Sequence, residues 1–501
     1  LKLMDLLAAL PDADLDGSPE ADVTGVSHDS RTVQPGDLFV AIRGGKSDGV
    51  AHVSEALSRG AVAVAAETPR GSRIAAETPP SSSSDAVPWV IVPDARRALA
   101  LAASRLAGDP AGKLVLAAVT GTNGKTTTTA LLSALLAKRY GRSGFVGTVG
   151  YSTGRRTVEA ARTTPDAVLL QKLLAEMVED GVPAAALEAS SHALALERLA
   201  GCRFDVAVFT NLTRDHLDFH ADMEDYFLAK SKLFSMRKDG AAAVVNVDDP
   251  WGSRLAAEAA PPLVRTSTRG AAGADVRAES IVCDLAGTSF DLVLSTAGRR
   301  FPISSKLLGR FNADNLVSAA AAGLALGLTD SQVQAGCASV DRVPGRLEPV
   351  EVGQAYRILV DYAHTPDALE RLLAAVRELT DKKIILVFGA GGDRDRGKRF
   401  PMGEIAGRLA DIPIATSDNP RSEDPAAILA EVSAGLEASG ATKALKIVDR
   451  REAIRAAIDL ANPGTVVVLA GKGHETTQVI GDKETPFDDR AVARNLVEDR
   501  R

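Results

Sequence analysis

The chain has 501 residues, 45% hydrophobic and 25% charged, with a formal net charge of −7. Apolar material on that scale excludes global disorder, and the acidic balance argues against a general nucleic-acid binder while leaving local anion sites open. At about 150 residues per domain the length suggests roughly three domains.

In chain order, Val23 to Val26 and Asp37 to Ala41 read as strands, with Gln34-Pro35-Gly36 turning between them. From Ala66 to Pro88 the composition shifts to Pro, Ser, Thr and Ala, with Ala-Ala-Glu-Thr-Pro occurring twice, which reads as a surface loop. Gly108-Asp109-Pro110-Ala111-Gly112 reads as a linker. Beyond it, short apolar runs repeatedly end in a polar loop followed by a helix. Leu114 to Val119 leads to Thr120-Gly121-Thr122-Asn123-Gly124-Lys125, and Ala184 to Leu187 leads to Glu188. Val206 to Phe209 leads to the stretch holding Asp215 and His216, and Ala241 to Val245 to Asn246. Leu316 to Leu328 reads as a buried helix rather than a membrane span, being shorter than about 18 apolar residues. Asp341 to Gly345 marks the next boundary. Then Ile384 to Phe388, Ile412 to Ala415 and Val466 to Ala470 lead into loops bearing Arg394, Arg421 and Glu475. Alternating strands and helices imply mainly parallel sheets, whose ligands bind beyond the carboxyl ends of the strands. Two such site-bearing domains could close over a shared cleft. Cys202, Cys283 and Cys337 show neither a disulfide framework nor a metal-ligand spacing, and the amino terminus has no leader pattern. A reducing cytoplasm is expected.

Gly121 to Thr127 is the sharpest local signal. Glycines let backbone N–H groups turn toward phosphate, and the following helix adds its positive end. Lys125 would reach the terminal phosphates and a threonine hydroxyl a magnesium ion. Val119 stands where the strict pattern has its first glycine, so the loop is a variant; a plain Gly-rich turn is the competing reading. Glu188 and His216, at the ends of expected neighbouring strands, suit a hard cation. His192, His220 and Asp215 read as local hydrogen-bonding groups. Lys230, by residue type alone, reads as a solvated lysine. Arg394, Arg421 and Glu475 suit either an amino acid with more than one carboxylate or a salt-bridge network between domains.

Taken together the motifs resemble the Mur ligase family, whose phosphate loop also lacks the first glycine. The resemblance spans nearly the whole chain: Ser27-His28-Asp29-Ser30-Arg31, Gly36 to Ala41, Arg162-Thr163-Thr164-Pro165, Asn211 to Asp218, Phe311 to Asn315, Asp361 to Asp367, and Gly471 to Glu475. It implies an α/β protein of three domains. A smaller amino-terminal α/β domain (1–110) would bind a UDP-sugar. A central P-loop-type parallel sheet (111–343) would bind ATP, and a Rossmann-like carboxy-terminal α/β domain (344–501) would bind an amino acid. The implied reaction is ATP-dependent amide ligation in peptidoglycan precursor synthesis, adding meso-diaminopimelate to the D-Glu γ-carboxylate of UDP-MurNAc-L-Ala-D-Glu through an acyl phosphate. The competing readings are the same reaction with L-lysine, another Mur or folylpolyglutamate-type ligase, and a nucleotide-dependent switch.

Residue by residue, the resemblance implies that Gly121, Thr122, Asn123, Gly124, Lys125, Thr126 and Thr127 hold ATP phosphates, with Asn315, Arg346, Asp361 and His364 near the nucleotide. Thr126, Glu188 and His216 would ligate Mg²⁺, joined by Lys230 once CO₂ has made it a carbamate; Lys125, Lys230, His216 and Glu188 are thus the catalytic set. His28, Ser30 and Gly45-Lys46-Ser47 would lie near UDP, and Arg162, Thr163, Thr164, Ser190 and Arg198 on the muramoyl-dipeptide. Leu196 stands where some relatives have a contact glutamine. Arg394, Asp418, Asn419, Pro420, Arg421, Gly471 and Glu475 would hold diaminopimelate, Arg421 pairing with the carboxylate that lysine lacks. Phe400-Pro401 departs from the usual Pro-aliphatic order. The expected partners are these small molecules, with no nucleic acid and no membrane span, acting on a monomer.

Overall fold

The computed structural model describes residues 1–44, 48–70 and 87–500. The expected Gly45-Lys46-Ser47 contact and most of the Ala66 to Pro88 loop lie outside the described residues. The chain packs as two compact units, Leu1–Arg277 with Val317–Gly336, and Ala278–Leu316 with Cys337–Arg501.

The first unit opens with strands β1 (Asp14–Asp16), β2 (Gly25–Ser27), β3 (Asp37–Ala41), β4 (Ala63–Ala66) and β5 (Trp89–Ile91), in spatial order β1-β5-β4-β3-β2. Only β1 is antiparallel to its neighbour. The strand expected at Val23 begins two residues later, because the Val23 N–H donates to Leu1 O at 2.8 Å instead of joining β3.

Its central sheet uses β6 (Val115–Thr120), β7 (Gly144–Gly147), β8 (Gly150–Ser152), β9 (Thr157–Val158), β10 (Ala184–Glu188), β11 (Phe204–Phe209), β12 (Arg237–Asn246) and β13 (Leu263–Ser267), in the order β13-β12-β11-β6-β10-β7-β8-β9. From β13 to β7 the strands are parallel and their apolar runs are buried, as a sheet covered on both faces requires. Alanine, valine and leucine supply most of that core, with Phe204 and Phe209 on β11. The strands leading to Glu188 and His216, expected to be neighbours, are not, because β6 lies between β10 and β11; the loop leaving Thr120 is therefore flanked by Glu188 on one side and Thr210 on the other.

In the second unit β14 (Val276–Asp284) ends beside β15 (Gly287–Leu294), which pairs antiparallel with β16 (Arg299–Ser305). The carboxy-terminal sheet comprises β17 (Glu348–Pro349), β18 (Arg357–Asp361), β19 (Ile384–Ala390), β20 (Ile412–Ser417), β21 (Leu445–Lys446) and β22 (Val466–Ala470), ordered β17-β18-β22-β19-β20-β21. All but β17 run parallel. Four neighbouring strand ends, of β18, β22, β19 and β20, therefore deliver their loops to one edge. A hairpin, β23 (Thr477–Ile480) with β24 (Lys483–Pro486), follows.

Helices start where short acidic or hydroxyl side chains accept the first free N–H groups: Asp166, Ser190, Asp222, Thr365, Asp424, Asp449 and Asp488 all do so. Of the helix expected over Leu316–Leu328, Leu316 to Ala322 is buried inside the helix Arg310–Ala325, which ends three residues early, before Gly327 at φ +81°. Among the described residues no helix is long and apolar enough to cross a membrane. The three cysteines are free thiols.

Candidate functional site

In the first unit the loop expected to hold phosphate runs from β6 to the helix Lys125–Tyr140, which starts directly at Lys125. Gly124 makes that possible, sitting at the helix start with φ +83°, a left-handed conformation that glycine adopts without a Cβ penalty. Gly121 is equally constrained: a Cβ there would lie 1.9 Å from Thr210 Oγ1. Lys125 folds back so that its Nζ donates to Gly121 O at 3.0 Å and Thr122 O at 2.7 Å. Asn123 N–H donates to Asn211 Oδ1 at 3.0 Å, tying the loop to the end of β11.

Glu188 is fully buried at the end of β10. Thr126 Oγ1 donates to its Oε2 at 3.0 Å. Thr148 donates to it twice, from N–H to Oε1 at 2.7 Å and from Oγ1 to Oε2 at 3.1 Å. Gly147 permits this approach, since a Cβ there would lie 2.3 Å from Oε1. Thr164 Oγ1 donates to the Glu188 carbonyl at 2.7 Å and meets Ser190 Oγ at 3.1 Å, while Arg198 donates to Thr164 O at 3.0 Å. Four of the five residues expected at the dipeptide, Thr163, Thr164, Ser190 and Arg198, thus form one connected patch beside Glu188, Thr163 joining through Thr148 at 3.1 Å, while the Arg162 backbone bonds to Tyr151 Oη. Burial and the charge of Arg162 both push the Arg198 pKa down.

Lys230 corrects its reading as a solvated lysine. It is 1% exposed on the helix Met223–Ser235. Its Nζ donates to Gly121 O at 2.7 Å and lies 4.5 Å from the centre of the Tyr226 ring. Burial, then the neighbouring Lys125 charge, hold its pKa well below the ordinary lysine value. A signal was available in sequence: Tyr226, Phe227, Lys230, Leu233 and Phe234 recur at helical spacing, so Lys230 occupies an apolar-face position.

His216 follows at φ +54° beside Asp215, whose Oδ1 accepts the His216 N–H at 2.8 Å. Burial lowers its pKa against the pull of Asp215, favouring the neutral imidazole that a metal takes. His192 packs edge-on to it at 4.9 Å and stacks on Phe219 at 4.1 Å. His220 Nδ1 lies 3.1 Å from Asp225 Oδ2, the local bonding expected of it. Among the described residues no group of three or more His, Cys, Asp or Glu could by itself hold a metal ion. The donors present, the Thr126 hydroxyl against the Glu188 carboxylate, have the hard-oxygen chemistry that magnesium requires, and further oxygen ligands are needed to complete such a site.

In the amino-terminal sheet, Ser30 Oγ donates to Glu55 at 2.7 Å and His28 is exposed. Arg31 forks onto Asp29, whose pKa falls to about 2 through that bond.

In the second unit the four strand ends carry most of the other expected residues, Asn315 lying instead on the helix Arg310–Ala325 and Arg346 just before β17. Asp361 accepts N–H groups of Leu347 and Ala363, and burial raises its pKa despite the nearby Arg346. Arg346 lies over the Tyr362 ring, and His364 Nδ1 meets Tyr362 O at 2.8 Å. Asn315 donates to Asn312 Oδ1 at 2.8 Å. Asp418 and Asn419 are buried after β20. Asn419 Nδ2 donates to Glu475 Oε2 at 2.9 Å, joining two of the expected contacts. Arg421, at φ +54°, donates to Gly392 O at 2.8 Å. Gly392 itself admits no side chain, a Cβ there falling 1.8 Å from Pro420 O. Arg394 is exposed on the adjoining loop.

The sequence reading missed two residues here. Thr148 grips Glu188 as described. Lys472 is fully buried, with Nζ 3.2 Å from Asn419 Oδ1, 3.3 Å from Glu475 Oε2 and 3.8 Å from Asp418 Oδ1.

Comparison with known proteins accords with this geometry. The models for the Mur ligase family catalytic domain, the Mur ligase middle domain and the Mur ligase glutamate ligase domain match residues 22–106, 119–323 and 345–473. A Geobacter metallireducens protein named UDP-N-acetylmuramoyl-L-alanyl-D-glutamate--2,6-diaminopimelate ligase is 45% identical, covering 98% of this chain and 97% of its own. The chain belongs to the Mur ligase family. A Streptomyces avermitilis protein of the same name is 44% identical to this Mur ligase over 98% of the chain and 97% of its own. A solved structure bearing that name superimposes with a TM-score of 0.69 at 34% identity, covering 100% of this Mur ligase and 99% of that chain. The three-domain α/β architecture is therefore that of the Mur ligases, and the chain is an ATP-dependent ligase.

Proposed function

We propose that the chain joins meso-diaminopimelate to the D-Glu γ-carboxylate of UDP-MurNAc-L-Ala-D-Glu, using ATP, in peptidoglycan precursor synthesis. The observation that carries this reading is the run Asp418-Asn419-Pro420-Arg421 closing on Glu475 after Gly471, in a chain whose full-length relatives bear that name. The domain limits belong to the same reading, near residues 110 and 343, as does a cytoplasmic monomer.

An amine cannot expel oxide from a carboxylate, so the γ-carboxylate must be activated. Its oxygen attacks the γ-phosphorus of ATP, releasing ADP and leaving an acyl phosphate. The amine of diaminopimelate then attacks the acyl carbon, and phosphate departs from the tetrahedral adduct as the amine proton is lost. Such chemistry rests on positioning and charge stabilisation. Amides of Gly121 to Thr127 and the Lys125 ammonium would cradle the phosphates, with Asn315, Arg346, Asp361 and His364 toward the nucleotide. Arg162, Thr163, Thr164, Ser190 and Arg198 would orient the dipeptide, and His28, Ser30 and Gly45-Lys46-Ser47 the UDP. Thr126, Glu188, His216 and a carbamylated Lys230 would hold Mg²⁺, which neutralises phosphate charge when bound. The depressed pKa of Lys230 supports that modification, because only a neutral amine captures CO₂. Arg394, Asp418, Asn419, Pro420, Arg421, Gly471 and Glu475 would receive diaminopimelate. The Arg421 guanidinium would meet its second carboxylate; lysine has only hydrogen there and would leave its distal ammonium facing Arg421 without a compensating anion.

The test is ligation with ATP, Mg²⁺, bicarbonate and UDP-MurNAc-L-Ala-D-Glu, offering meso-diaminopimelate or L-lysine separately and following phosphate and product mass. Product with diaminopimelate alone is expected. Product with lysine instead overturns the specificity, and phosphate release without any amino acid points to a nucleotide switch. In Arg421→Ala the KM for diaminopimelate should rise roughly tenfold or more while that for ATP stays put.

A further inference from the structure

Two helices outside the candidate site send a pair of charges beneath it. Arg450 begins the helix Arg450–Leu460 and Asp489 begins Asp489–Glu498. Both side chains are completely buried. Arg450 Nε donates to Asp489 Oδ1 at 2.8 Å, and Nη2 to Oδ2 at 2.5 Å. The rest of the guanidinium turns to backbone: Nη2 also donates to Ala470 O at 3.0 Å, and Nη1 to Ser417 O at 3.4 Å.

Those two carbonyls are specific places. Ala470 ends β22 immediately before Gly471, and Ser417 ends β20 immediately before Asp418. β20 and β22 share no hydrogen bond, because β19 lies between them. One planar group thus spans a whole strand and grips the chain on either side of it, at the level where the two loops begin. Arginine suits this, since its donors keep a fixed fork that a lysine cannot imitate. Stability alone does not account for the pair. Two buried charges bear a desolvation cost, and apolar residues of similar volume in such places are commonly as stable or more so.

We propose that Arg450, clamped by Asp489, is a positioning residue for the amino-acid pocket, setting the spacing between the Asp418–Arg421 loop and the Gly471–Glu475 loop. The proposal rests on the reading above that these loops receive the incoming amino acid. Arg450 acts through the two carbonyls and touches no reacting atom.

Two variants of the full chain test it: Arg450→Lys, which keeps the charge and loses the fork, and the pair Arg450→Met with Asp489→Leu, which replaces the ion pair by apolar volume. Each is assayed for KM toward meso-diaminopimelate and ATP, and for hydrogen exchange of segments 417–421 and 470–479. Both variants are expected to fold. The KM for diaminopimelate should rise roughly tenfold or more, that for ATP should change less than about twofold, and exchange should quicken in both segments while β19 is unchanged. A folded double variant with wild-type KM and wild-type exchange overturns the proposal, and so does failure of both variants to fold, which would make the pair structural only. Should the wild-type chain fail to ligate diaminopimelate, the functional reading falls, and the exchange of the two segments alone still decides for or against Arg450 as their spacer.

Discussion

Lys230 and Lys472 are both buried lysines, one in each unit, and their surroundings differ in sign. Lys230 has a carbonyl, an aromatic face and a second cation for company, whose effect together with burial outweighs the opposing Asp215 carboxylate. Lys472 lies among Asp418, Asn419 and Glu475. Burial beside a cation drives an amine toward its neutral, nucleophilic form, whereas burial among carboxylates makes the ammonium a brace that holds them together. Burial alone assigns no role to a lysine; the charges facing it do.

The comparison can be broken at its first member. Lys125→Ala removes both the proposed phosphate ligand and the cation facing Lys230, and turnover should fall by about 10³ or more with the circular dichroism unchanged. Wild-type phosphate release in that variant would remove the phosphate-loop assignment. Lys230→Met should lower ligation by about 10² and remove the carbamate carbon signal that the proposed modification predicts for the wild type in ¹³C-bicarbonate. The unfolded chain, with lysine near 10.5, binds a proton that the folded state refuses, so Lys230 makes stability rise with pH below that value. Urea titrations of Lys230→Met should lose that rise; an unchanged slope would mean that the folded amine is charged. Lys472→Met should cost about 2 kcal/mol in urea unfolding, less than the roughly 3–5 of a sealed pair because Glu475 is partly solvated. No loss there would deny the bracing role. The smallest effect belongs to His474, whose pKa burial lowers to about 4. Acidification from about 6.5 toward 4 should therefore remove stability, by about 1 kcal/mol or less after solvent screening, and His474→Asn should flatten that part of the profile.

Much of this was legible in sequence, for a physical reason. Parallel strands buried on both faces are written as unbroken apolar runs, and the runs ending at Val119, Leu187, Phe209, Ala415 and Ala470 locate the loops to within two residues. Gly121 and Gly124 likewise mark the turn between β6 and the helix that starts at Lys125. What stayed hidden depends on contacts between distant segments. Thr148 follows a four-residue strand bounded by glycines, and nothing local says that it reaches Glu188 forty residues on. Lys472 sits in a run read for its glycine and glutamate, and its neighbours Asp418 and Asn419 arrive from another strand. Arg450 reads as one charge among several at a helix start until β20, β19 and β22 are placed side by side.

The close backbone packing around the second site has an evolutionary corollary. Besides Gly392, Gly345 would put a Cβ 2.3 Å from His474 N, and Gly473 would put one 2.6 Å from Tyr362 Cβ. Main chain rests on main chain there, so single-step variation cannot reshape the loops by adding bulk at these glycines. If these loops receive the incoming amino acid as proposed, drift toward a different one must travel through side chains that project from the same scaffold, Arg421 foremost. A saturation-mutagenesis map should therefore show a lineage able to change its diet at a few projecting positions while the glycines around them stay invariant.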